Sequence, residues 1–110
     1  MANSFRDIID NKLQDREEVR LIIPVGDQYS RSILRNSFYM TTVHSPGVDL
    51  AVQVSNVHTP DTTTDDDWFT IGTGEYVNCV PAPFKWLRVK LPTPAGEVIT
   101  ANVLSIRATY

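Results

Sequence analysis

Tyr76-Val77-Asn78-Cys79-Val80-Pro81-Ala82-Pro83-Phe84-Lys85-Trp86-Leu87-Arg88-Val89-Lys90-Leu91 is the stretch that decides the fold. Its first five residues read as a strand. Pro81-Ala82-Pro83 breaks that strand, because proline offers no N–H to a sheet ladder. From Phe84 onward apolar and polar residues alternate. Leu87, Val89 and Leu91 fall on one face, and Phe84, Trp86, Arg88 and Lys90 on the other. A period of two is the signature of a strand with one face in a core.

The same pattern continues outward in both directions. Val48, Leu50, Val52 and Val54 alternate with Asp49, Ala51, Gln53 and Ser55. Val19 to Ile23 reads as a strand stopped by Pro24. Ser32 to Val43 reads as one longer strand, with Leu34, Phe38 and Met40 on one face and Ile33, Arg35, Tyr39 and Thr41 on the other. Trp68 to Ile71 ends at Gly72-Thr73-Gly74, and Val98 to Ile106 forms the last strand. Gly26-Asp27-Gln28, Ser45-Pro46-Gly47 and Pro94-Ala95-Gly96 supply turn chemistry between them. About seven short strands at this spacing predict a mainly β chain: one antiparallel β-sandwich or jelly-roll-like domain.

The N-terminus has a different texture. Ser4 followed by Asp7 resembles a helix cap, and Phe5, Ile8, Ile9 and Leu13 fall at near-helical spacing. The expectation is a short helix over residues 5–14, within a helix or arm of residues 1–18, followed by a β-sandwich domain of residues 19–110. A helix this short is marginal alone and must dock on something. Phe5, Ile8 and Ile9 are its candidate anchors, on this chain's own sheets or on a neighbouring subunit.

With 110 residues, 42% apolar and 21% charged, the chain is one domain of ordinary globular composition, able to bury a core without disulfides or metal. The single cysteine, Cys79, has no partner for an internal disulfide and lies among Tyr76, Val77 and Val80, which favours a buried thiol. No apolar run approaches the ~18–20 residues that span a bilayer, so no membrane role is expected. The start lacks the basic-then-apolar order of a signal peptide, and the expectation is a chain used without export.

The net charge of −3 is unevenly spread. Residues 1–18 hold five acids and three bases, residues 19–83 seven acids and three bases, and residues 84–110 four bases and one acid. This lacks the broad basic footprint of a nucleic-acid binder. It suits a protein whose charged faces meet complementary neighbours.

Candidate chemistry is sparse. Asp61, Asp65, Asp66 and Asp67 lie in a loop, residues 56–67, that also holds Pro60 and four threonines. They are a weak calcium candidate, since the loop lacks fixed ligand spacing and a glycine; a solvated loop tip is the favoured reading. His44 and His58 have no second ligand at zinc spacing. The serines sit in no Gly-x-Ser-x-Gly elbow, and no Gly-rich phosphate loop occurs. No catalytic residue, metal or cofactor is expected, and the chain reads as a non-enzyme. Trp68, Phe69, Phe84 and Trp86 invite a sugar-stacking reading, but a small sandwich also needs aromatics in its core. If Leu87, Val89 and Leu91 face inward, Phe84, Trp86, Arg88 and Lys90 form an outward aromatic and basic strip suited to a protein interface. Arg31 and Arg35, beside Tyr29 and Tyr39, could extend it.

The ordered set Val-Gln-Val-Ser-Asn (52–56), Trp-Phe-Thr-Ile-Gly-Thr (68–73), Ala-Pro-Phe-Lys-Trp-Leu-Arg-Val-Lys-Leu (82–91) and Gly-Glu-Val-Ile-Thr-Ala-Asn-Val (96–103) resembles small β-sandwich structural proteins of tailed-bacteriophage virions. The resemblance covers about residues 48–106 and is a sandwich signature rather than a catalytic motif. It implies a capsid decoration (cement) protein that contacts the major capsid protein, is homo-oligomeric and resides in virions assembled in the host cytoplasm. A tail, collar or fibre module is the alternative within that class. The pattern is also similar to carbohydrate-binding sandwiches. The chain departs from it in the Pro60–Asp67 loop, which replaces a short Asn-Asp-Gly turn, and in its first forty-odd residues.

Overall fold

The computed structural model describes residues 15–35, 40–79 and 84–107. They form eight strands: β1 (Asp15–Ile23), β2 (Ile33–Leu34), β3 (Met40–His44), β4 (Leu50–Ser55), β5 (Phe69–Gly74), β6 (Tyr76–Cys79), β7 (Trp86–Lys90) and β8 (Ile99–Arg107). The expected mainly β character is met, and no helix occurs among the described residues. The expected helix over residues 5–14, with Phe5, Ile8 and Ile9, lies outside them. Residues 15–18, assigned from sequence to the N-terminal arm, open β1 and pair with residues 104–107 of β8.

Two four-stranded antiparallel sheets result, in the orders β1-β8-β3-β6 and β2-β7-β4-β5. Ser32–Val43 is therefore not one strand. β2 pairs with β7 and β3 with β8, so the chain changes sheets between them. The division of that stretch into β2 and β3 raises the strand count from the expected seven to eight among the described residues.

One core joins both sheets. Leu21, Ile23, Val43, Val77, Ile99, Ala101 and Val103 come from the first, and Ile33, Leu50, Val52, Leu87 and Val89 from the second. Alternation along the strands produces this. In β8, Ile99, Ala101 and Val103 are buried while Thr100 and Asn102 are exposed. Register matches size: the small Ala101 sits opposite Leu21. The β3–β4 connection is a turn in which the Val48 N–H donates to the Ser45 carbonyl at 3.1 Å. Pro46 sits at its second position, and Gly47, at φ 77°, takes the left-handed third.

β4 and β5 form a hairpin joined by residues 56–68, far longer than a tight turn. The ladder between them slips by one residue between Val52 and Gln53.

Candidate functional site

Alternation fails at Gln53 and Arg88, which face each other. Gln53 on β4 and Arg88 on β7 are register partners pointing away from the core, yet Gln53 is only 2% exposed and Arg88 fully buried. The cause is the 56–68 connection, which folds back over the outer face of the second sheet. A buried guanidinium needs its donors satisfied, and the loop satisfies them. Arg88 Nε donates to Gln53 Oε1 at 2.8 Å, Nη1 to the Thr62 carbonyl at 3.0 Å and Nη2 to the Thr64 carbonyl at 2.7 Å. The Tyr29 and Trp68 rings lie 3.9 and 4.2 Å from its central carbon, a cation–π arrangement on a desolvated ion.

Asp65 is the loop's second anchor. Its carboxylate accepts from Tyr29 Oη at 2.9 Å, Gln53 Nε2 at 3.1 Å and Arg88 Nη2 at 3.4 Å, and pairs with Lys90. The Lys90 hydrogen bond, aided by those from Gln53 and Tyr29, lowers its pKa to about 2. Burial pulls Arg88 below the usual guanidinium range, against the opposing pull of Tyr29, Asp65 and Asp61, and raises Tyr29. A guanidinium titrates so far above neutrality that Arg88 remains a cation.

The loop is also tied to itself. The Asp61 N–H donates to Asp67 Oδ2 at 2.7 Å, Thr63 donates twice to Asp61 Oδ1, and Trp68 Nε1 donates to the Asp61 carbonyl at 2.8 Å. Asp61, Asp65 and Asp66 are exposed, as a solvated loop predicts, while the backbone that carries them is buttressed. The calcium candidates do not converge. Asp61 and Asp67 cap backbone groups, Asp65 serves cations, and no group of three potential ligands occurs among the described residues.

The expected outward strip divides. Leu87, Val89 and Leu91 do face inward. Phe84, however, is 6% exposed and belongs to the core, and Arg88 is covered by the loop. Trp86 and Lys90 keep part of their surface. Trp86 Nε1 donates to the His58 carbonyl at 3.3 Å, and Lys85 Nζ donates to His58 Nδ1 at 2.7 Å. Beside them lies a shallow, largely apolar depression of about 490 Å³, lined chiefly by Leu34, His58, Pro60, Lys85 and Trp86. Arg35 does not extend a surface patch. It is 3% exposed, pairs with Glu17 at 2.9 Å, and its own N–H donates to the Lys85 carbonyl. Arg31 is exposed, and Tyr39 lies outside the described residues.

Hydroxyls in the sheets hold backbone or one another. Ser30 Oγ accepts from the Val89 N–H at 3.0 Å, Ser45 Oγ donates to the Val48 carbonyl, and Ser105 and Thr41 share a hydrogen bond of 3.0 Å inside the first sheet. The arrangement therefore immobilises a loop and leaves apolar side chains outside: Ile22, Leu34, Phe69 and Tyr76 are each between 46% and 69% exposed. The Arg88 anchor escaped the sequence reading because a charge in a strand reads as a surface residue. A usable sign was its place between Leu87 and Val89, opposite an uncharged Gln53.

No family model, curated protein or solved structure matches the chain.

Proposed function

We propose that the two sheets form a jelly-roll sandwich and that the chain is a non-enzymatic structural protein of a tailed-phage virion, a decoration protein that stabilises the head through contacts with capsid subunits. The observation that carries this reading is the strand order. At every step along the described strands except the β4–β5 hairpin, the chain crosses between the sheets β1-β8-β3-β6 and β2-β7-β4-β5. That order supports a jelly roll, the eight-stranded double Greek key of viral capsid and lectin domains. The sequence resemblance over residues 48–106 points the same way. So does the use of the chain's most chemical side chains, Arg88 and Asp65, to fix a loop.

The mechanism is burial and mass action. Exposed Phe69 and Tyr76 supply apolar area for a neighbour, at roughly 25 cal/mol per Å² removed from water. A ligand that binds only the assembled head stabilises it by RT ln(1 + L/Kd), with L the free ligand concentration, so the effect grows with that concentration. A fixed 56–68 loop lowers the ordering cost of docking.

The test is copy number. Particles from the source are banded on a density gradient and the chain is quantified against the major capsid protein. A near-stoichiometric ratio supports head decoration. A ratio of a few per cent moves the chain to the tail, collar or fibre, and absence from the band removes the virion reading. The depression beside Trp86 favours a second reading, a carbohydrate-binding module, since jelly rolls also serve as lectins. Glycan binding lost in Trp86→Ala, with the β circular-dichroism spectrum retained, supports it.

A further inference from the structure

β1 is a nine-residue edge strand, longer than the other edges of the two sheets. A long edge presents unpaired backbone groups and is a template for another strand unless it is guarded. The sequence of β1 is charged, which can serve as a guard, but its charges are complementary to themselves. Glu18 and Arg20 are both exposed, on the outer face of the strand. Among the described residues neither forms an ion pair, and their neighbours across the ladder on β8 are Leu104 and Asn102.

We propose that two copies of the chain pair antiparallel through β1, with the two-fold axis at Val19. In that register Glu18 of each copy lies opposite Arg20 of the other, so two reciprocal ion pairs form on the outer face. The half-buried Val19 meets its own counterpart on the inner face, extending the core across the junction. The neighbouring registers that keep faces aligned are excluded by charge. Centring on residue 18 sets Glu18 against Glu18, and centring on residue 20 sets Arg20 against Arg20. Like charges directly opposite on a sheet destabilise it. An open depression of about 350 Å³ lies beside β1, lined by Arg20, Ile22, Pro24, Asp27, Tyr29 and Arg31. The result is an isologous dimer with one continuous eight-stranded sheet across the junction. It does not depend on the virion reading and is tested on purified protein.

The experiment is sedimentation equilibrium of the full chain over a range of concentration and salt, with Glu18→Arg, Arg20→Glu and the double variant. Wild type is expected at twice the 12.4 kDa chain mass, with dissociation rising with salt. Each single variant replaces both ion pairs by repulsions and is expected to weaken the dimer at least about tenfold. The double variant restores the pairing with signs exchanged, and an equimolar mixture of the two single variants forms a heterodimer. Both positions are exposed, and circular dichroism checks that each variant folds. A monomer or trimer in the wild type, or a dimer indifferent to Glu18→Arg, overturns the proposal; so does a double variant that stays dissociated.

Discussion

Replacing Arg88 with methionine removes the cation that holds the 56–68 loop while keeping most of the stem volume, so little cavity forms. What is lost is specific. Three hydrogen bonds of 2.7–3.0 Å from a charged donor disappear, leaving Gln53 Oε1 and the Thr62 and Thr64 carbonyls without their donor. Hydrogen bonds to charged groups contribute about 1.5–3 kcal/mol each, but the freed loop can rehydrate its carbonyls, so the sum is not additive. Contacts with two rings add about 1–2 kcal/mol each when desolvated. Breaking a buried ionic network by removing one partner typically costs about 3–5 kcal/mol, and that is the expected loss here. For a urea slope of about 1.5 kcal/mol/M, the midpoint falls by about 2–3 M. Lys90→Met is the internal control. Its pair with Asp65 is 21% and 45% exposed on the two sides, so its loss should stay below about 1 kcal/mol. Hydrogen exchange across residues 60–68 should quicken in Arg88→Met and hardly change in Lys90→Met. A loss below about 1 kcal/mol for Arg88→Met, or equal effects of the two, refutes the view that Arg88 anchors the loop.

Two further outcomes follow from the same geometry. Asp65 has a folded pKa near 2 against an ordinary 3.8, so its contribution is fully present above about pH 4 and is lost as pH falls towards 2; Asp65→Asn should flatten that acid limb in thermal melts taken from pH 2 to 5. At Gly72 an added Cβ would sit 2.7 Å from Val77 Cγ1, so Gly72→Ala should cost about 1–3 kcal/mol in urea unfolding, and Val77→Ala in the same chain should recover part of it.

Much of the fold was legible because period-two alternation is local. Val48 to Val54 and Leu87 to Leu91 announced their buried faces, and Ser45-Pro46-Gly47 its turn. Sheet membership was not legible, because the change of sheets between Leu34 and Met40 leaves the alternation of Ile33, Arg35 and Thr41 intact: all three are buried. The candidate site was hidden for a different reason. The hydrogen bonds of Arg88 to Gln53, Thr62 and Thr64 join residues 24 to 35 positions apart, and two of them end on loop backbone carbonyls, which carry no residue-type signature. A loop of threonine and aspartate therefore read as solvated, and the strip containing Arg88 read as surface. Phe84 was misassigned because it precedes β7, where strand parity no longer governs its direction.

The central claim is that the chain stabilises a phage head by occupying its surface, and add-back tests it most directly. Heads assembled without the chain are heated with and without purified protein, and the temperature of DNA release is read by dye fluorescence. The account predicts saturable rebinding and a release temperature restored to that of complete particles. Release at the same temperature with and without bound chain contradicts it.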